Sequence, residues 1–171
     1  IVVQKRKYFK FIFIMAMLFV VGCGYKPSSH YINNLFDDSI YVEVRVDRVE
    51  PENAPYLKDE LNKLVYKRFK KVVTSKALAS SYIIASYSGT RFAPIAYDKN
   101  GYVSRYRVDC RIKFDMKSKK GRFSKTITST VQQDIYYSSV LTSSLRIEAI
   151  KKGFDKALDE FMAYVSAKSV Q

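Results

Sequence analysis

The sequence predicts an α+β fold: a two-layer sandwich in the order β-α-β-β-β-α, with two helices packed on one face of a four-stranded mixed sheet. Three observations carry the prediction. Residues 102–117 alternate for a full strand length. Tyr102, Tyr106, Val108, Cys110, Ile112, Phe114 and Met116 fall on one side, with Ser104 the weak member, and Val103, Arg105, Arg107, Asp109, Arg111, Lys113, Asp115 and Lys117 on the other. A period of two packs one sheet face on a core and turns the other to polar surroundings. Two further segments carry apolar residues at steps of three and four, the mark of helices with one buried stripe. Turn residues separate the β-rich segments between them.

In chain order, residues 24–38 read as a tether, because Pro27, Ser28, Ser29, Asn33 and Asn34 disfavour regular structure. Ile40, Val42, Val44 and Val46 alternate with Tyr41, Glu43, Arg45 and Asp47, a half-buried strand. Pro55 suits the opening of a helix, where its missing N–H is no loss. Leu57, Leu61, Leu64, Val65, Phe69 and Val72 form that helix's stripe, Asp59 and Lys63 its i,i+4 pair, and residues 73–75 its expected end. Residues 82–90 are β-rich, with Gly89 marking a bend or bulge. Pro94 makes that strand bulged or an edge. Asn100-Gly101 is a strong hairpin signal, since both residues tolerate positive φ. After Lys119-Lys120-Gly121, Phe123, Ile127, Val131 and Ile135 mark one face of a fourth strand. Ser124, Thr126, Thr128, Thr130 and Gln132 mark the other. Ser143 or Ser144 is placed to cap a final helix, whose stripe is Ile147, Ile150, Phe154, Leu158, Phe161 and Val165.

The chain of 171 residues suits one domain with a self-sufficient core. Its 47% hydrophobic and 27% charged content is that of a globular protein. The formal net charge is +14. A surplus of that kind fits an anionic partner, or serves solubility alone.

Residues 4–21 give the charge a context. A basic start with Lys5, Arg6, Lys7 and Lys10 is followed by an apolar run from Phe11 to Val21. Eleven residues match the apolar region of a signal peptide and are too few to span a bilayer. Val20-Val21-Gly22-Cys23 resembles the lipobox of bacterial lipoproteins. The resemblance implies that Cys23 becomes the N-terminus and carries diacylglycerol and an amide-linked acyl chain, a stable anchor. Gly24 stands where an aspartate would favour inner-membrane retention, so the expected location is the outer membrane, on its periplasmic side. An ordinary signal peptide with a chance cysteine is the other reading. Removal of residues 1–22 leaves 26 basic against 16 acidic residues. It also leaves Cys110 as the one free thiol, which excludes an internal disulfide; Cys110 reads as a small buried hydrophobe.

Together these features resemble the LptE family of lipopolysaccharide-assembly lipoproteins. The resemblance rests on the lipobox running into Cys23-Gly24-Tyr25, the strand Ile40 to Asp47, the hairpin Ala96 to Gly101 followed by Ser104-Arg105-Tyr106-Arg107, and the element order ending in a long helix. On it, residues 1–22 are a lipoprotein signal peptide, 23–38 a lipidated tether and 39–171 an LptE-like domain. It implies a non-enzymatic protein that plugs and helps assemble the β-barrel LptD and binds lipopolysaccharide in transit to the outer leaflet. The family's lipid-binding cation lies at a hairpin tip, and Lys99 in Lys99-Asn100-Gly101 is the matching position. Lysine there keeps a point charge where arginine would offer a bidentate fork. The family's second basic position has no match, since Tyr136 to Ser144 contains no Lys or Arg.

Read from the residues alone, Lys99 beside Tyr97, Tyr102 and Arg105 suits a lipid-borne phosphate with sugar or acyl surface against the rings. A solvated turn is the other reading. Arg105, Arg107 and Arg111 read as a polar face paired with Asp109 and Asp115, or as a docking face for a barrel. The residues do not suggest an enzyme, a cofactor or a metal beyond the lipid on Cys23. The one histidine, His30, lies in the tether, and no phosphate loop or metal-spaced cluster is present. Nucleic-acid binding fits the charge but not the export signal. The remaining alternative is another periplasm-facing outer-membrane lipoprotein, an adaptor or anionic-ligand-binding module.

Overall fold

The computed structural model describes residues 35–46, 50–135 and 140–170. Strand β1 spans Ser39–Val46. A 3-10 turn at Pro51–Asn53 leads into helix α1, Ala54–Leu64, which widens into a π-type turn at Val65–Phe69. Strand β2 is Val72–Val73, β3 Ser81–Tyr97, β4 Val103–Ser118 and β5 Gly121–Asp134. Helix α2, Ser143–Val170, ends the described chain.

The sheet order is β2-β1-β3-β4-β5. The expected four-stranded mixed sheet therefore gains a fifth strand. It arises because the first helix ends well before residues 73–75. Lys70 adopts the left-handed conformation (φ 55°) and turns the chain out of the helix. Val72, expected on the helical stripe, instead pairs in parallel with Ser39. Its N–H donates to the Asp38 carbonyl at 3.0 Å, and the Thr74 N–H to that of Ile40 at 3.0 Å. Strand β1 is parallel to β3, while β3–β4 and β4–β5 are antiparallel.

Among the described residues, β1 pairs with β3 only as far as Val46↔Tyr87, so the rest of β3 has an open outer side there. Pro94 is tolerated on that edge, and the register also shifts around it and around Gly89, which takes φ +99°. The edge and the bulge, posed as alternatives from the sequence, both occur.

The core lies between the sheet and the helices. On the apolar face of β4, Ile112, Phe114 and Met116 are buried with Ile150, Phe154, Phe161 and Val165 of α2, Val108 and Cys110 form a second cluster with Ala149, and β1 and α1 fill the other half of the main core. Four rings run through it. Phe36 stacks on Phe69 at 5.6 Å, Phe69 meets Phe161 at 6.5 Å, and Phe161 stacks on Phe114 at 4.1 Å. Leu35 and Phe36 belong to this core although the stretch 23–38 was expected to be tether. Their apolar side chains outweigh the turn-forming residues before them. Two local expectations change. Lys63 pairs with Glu60 at 2.5 Å, one step nearer than Asp59. The cap of α2 is Thr142, whose Oγ1 accepts the Leu145 N–H at 3.4 Å, in place of Ser143 or Ser144.

Candidate functional site

The β3–β4 hairpin outruns the rest of the sheet on its β1 side, and its tip is the candidate site. Asn100-Gly101 does not form a two-residue turn with both residues at positive φ. Only Gly101 takes positive φ, at +84°. The loop is closed by Asp98, whose Oδ1 accepts the N–H groups of Asn100 at 2.8 Å and Tyr102 at 2.9 Å. The Asp98 N–H donates to the Tyr102 carbonyl at 2.7 Å, and the Gly101 N–H to the Asp98 carbonyl at 3.0 Å. An aspartate two residues before Asn-Gly is an Asx-turn signal that sequence reading passed over. It fixes the backbone under Lys99 and leaves that side chain to solvent.

The tip carries exposed rings. Tyr97 is 62% and Tyr102 58% exposed, with Ile95 half-exposed on the same hairpin. Tyr102 lies in the loop, not on the apolar face that strand alternation assigned to it, because β4 begins at Val103. Tyr97 is the strand partner of Val103. Lys99, Tyr97 and Tyr102 are thus brought together at one end. Arg105 sits next to them in β4, where its Nε is paired with the Asp134 carboxylate of β5. One cation over a rigid turn with two tyrosines suits a phosphate set in sugar or acyl surface.

The sheet face opposite the helices is polar, and most of its arginines have partners. Arg107 pairs with Asp109 at 3.2 Å, Lys113 with Asp115 at 3.2 Å and Arg45 with Glu43 at 2.6 Å. Thr130 Oγ1 donates to Asp109 at 2.7 Å. Of the two sequence readings, pairing within the face describes Arg107. Arg111 has no carboxylate partner among the described residues. It borders a basin of about 530 Å³ with Arg91, Asp109, Thr128 and the bulge residues Ser88 to Thr90.

Behind the bulge lies a buried polar chain that sequence reading missed. Glu50, 5% exposed, accepts from Tyr87 Oη and from the Arg146 guanidinium, and from Asn53 Nδ2 at 3.3 Å. Tyr87 Oη also meets Thr90 Oγ1, which lies 3.4 Å from Cys110 Sγ. Arg146 covers the Phe92 ring at 4.6 Å. Burial holds the Tyr87 hydroxyl well above its ordinary range and pushes the Cys110 thiol up to about 11, so Cys110 is a protonated core residue.

The model of the lipopolysaccharide-assembly family LptE matches residues 41–165. The chain belongs to the LptE family. Solved structures share its fold. Rare lipoprotein B from Shewanella oneidensis matches with a TM-score of 0.52 at 11% identity, over 76% of this chain and 96% of that one. A Xanthomonas campestris protein matches with 0.56 at 9% identity, over 79% and 87%. A putative lipoprotein from Caulobacter crescentus matches with 0.50 at 7% identity, over 84% and 96%. No curated protein matches the chain. Membership places this chain in a non-enzymatic family of lipopolysaccharide-assembly lipoproteins. Cys23, the signal peptide, His30 and Tyr136 to Ser139 lie outside the described residues.

Proposed function

We propose that this LptE-family chain is held in the outer membrane, on the periplasmic side, by acyl chains on Cys23. It plugs a β-barrel of the LptD type, helps that barrel assemble, and binds lipopolysaccharide in transit to the outer leaflet. The observation that carries the reading is the family match over residues 41–165, which includes the whole hairpin. The tip supplies the chemistry. Lys99 meets a lipid-borne phosphate, Tyr97 and Tyr102 cover the adjoining sugar or acyl surface, and Arg105 with Asp134 holds the base of the tip. No catalytic step is assigned.

Two experiments test it. Tagged, lipidated chain is taken from gently solubilised membranes and its companions identified by mass. A large outer-membrane barrel in equal amount is expected, and recovery as a free monomer would count against the plug. Lys99→Glu is expected to weaken lipopolysaccharide binding about tenfold with the unfolding midpoint unchanged, the scale of one lost charge-assisted contact at an exposed site. Equal affinity would return Lys99 to a solvated turn. The second reading, an adaptor for another anionic ligand, draws on Arg91 and Arg111 at the basin. Arg111→Ser separates the two, since only that reading gives it an effect on binding.

A further inference from the structure

The end of the sheet opposite the tip carries a dense cluster of cations. Lys117, Lys119, Lys120 and Arg122 are all exposed and fall within six residues around the β4–β5 turn. Lys117 and Arg122 are direct cross-strand partners, a register in which like charges repel. Among the described residues, the one carboxylate within ion-pair reach of these four is Asp37, 3.8 Å from Lys119 Nζ. Lys120 Nζ donates to the Ser169 carbonyl at 3.1 Å, which brings the end of α2 to the same place. Lys125 and Lys168 lie over the rings of Tyr164 and Phe123 there, at 5.6 and 5.9 Å.

The described chain also begins at this end. The Lys119 N–H donates to the Leu35 carbonyl at 2.9 Å. Cys23 precedes Leu35 by twelve residues, a reach of at most about 40 Å. The tip lies about 50 Å away along the 16 residues of β4. An anchor on Cys23 therefore confines the cationic turn to within about 40 Å of the bilayer and leaves the tip the less confined end of the sheet.

We propose that Lys117, Lys119, Lys120 and Arg122 form a footplate that binds the anionic phospholipid headgroups of the membrane holding the chain. The inference rests on the reading of Cys23 as the anchor. The short tether keeps headgroups at high effective concentration beside the turn. Basic side chains at an anionic surface add to an acyl anchor, and their pull fades with salt over about 8 Å at physiological strength. The footplate also fixes orientation, since it seats one end of the sheet on the bilayer.

The test uses the full chain with Cys23→Ser, so that no acyl chain contributes. Flotation is measured with neutral phosphatidylcholine vesicles and with vesicles containing phosphatidylglycerol, at low and high salt. The variant with all four residues changed to Ser is expected to lose binding to anionic vesicles by about tenfold or more at low salt, and the difference should vanish at high salt. Lys5 to Lys10 and the apolar run remain in both chains, so the difference belongs to the turn. A remote Lys58→Ser change should leave binding as it was. If the fourfold variant does not fold, Lys119→Ser with Lys120→Ser is expected to give a smaller loss in the same direction. Equal binding by parent and variant would overturn the proposal. So would capture of soluble polyphosphate by the turn without any preference for anionic vesicles. The anchor is tested separately, by the mass of the N-terminal peptide from membranes. An unacylated Cys23 would remove the anchor and leave the vesicle result to stand or fall by itself.

Discussion

At Gly153 α2 packs directly on the sheet. A Cβ there would stand 2.4 Å from Cys110 Sγ, and Ser129 Oγ already donates to the Gly153 carbonyl at 2.7 Å. Gly153→Ala is expected to lower stability by about 1–3 kcal/mol in urea unfolding. Adding Cys110→Ala removes the sulfur and should restore most of that loss, a coupling that two independent sites would not show. Glu50 makes the opposite demand. Arg146→Met leaves its buried carboxylate without a cation, and a loss of about 3 kcal/mol is expected. Asp155 gives a pH signature. Desolvation, with Glu60 and Asp159 nearby, raises its pKa above the ordinary carboxylate value. The folded state thus holds its proton more tightly than the unfolded chain, and a penalty grows as pH rises through that range. Asp155→Asn should be slightly more stable than the parent near pH 7, by under about 0.5 kcal/mol given its exposure, and equal to it near pH 3. Cys110 was legible from strand parity alone. Glu50 and Arg146 were not, because nothing local links residues 96 positions apart.

Among the elements, β4 and α2 were readable because long, strict periodicity leaves one solution for each. The end of α1 was not. Its stripe continues into Val72 without a break, and the stop is imposed by pairing with β1, a contact distant in sequence. Lys70 adopts φ 55° at that stop, a conformation glycine reaches without strain. Lys70→Gly is expected to raise the unfolding free energy by about 1 kcal/mol. A drop in the denaturation midpoint would mean that the lysine side chain is needed there. The hairpin loop lies between these cases. Asn-Gly located the turn, and Asp98 decided its type. Asp98→Ala removes the acceptor of two backbone N–H groups, so faster amide exchange at Asn100 and Tyr102 is expected, with the core unaffected.

Across the whole molecule, fold class, layer arrangement and the polarity of the two sheet faces followed from the pattern of the chain. The pairing of Arg107 with Asp109 was among the sequence readings, but that of Arg105 was not, since Asp134 lies on a neighbouring strand and sequence offers no register. The four-phenylalanine run ties the start of the described chain, the end of α1, α2 and β4 into one cooperative unit. Phe161→Ala should cost about 3–5 kcal/mol and shift a single unfolding transition, not split it. The hairpin tip reaches beyond this unit. Among the described residues, support from β1 ends at Tyr87, but β5 stays paired with β4 as far as Arg105↔Asp134, and Phe92, Val108 and Cys110 still pack with Ala149 of α2. In mechanical terms the loop beyond that last pair is a short cantilever of about 10 Å, with the Arg105–Asp134 pair as its root. A rotation of about 10° at the root swings the tip through only about 2 Å. Stiffness therefore falls only at the very end of the strand pair. A load on Lys99 is delivered to the Arg105–Asp134 pair, and a stiffer or looser root alters how far the tip can sweep.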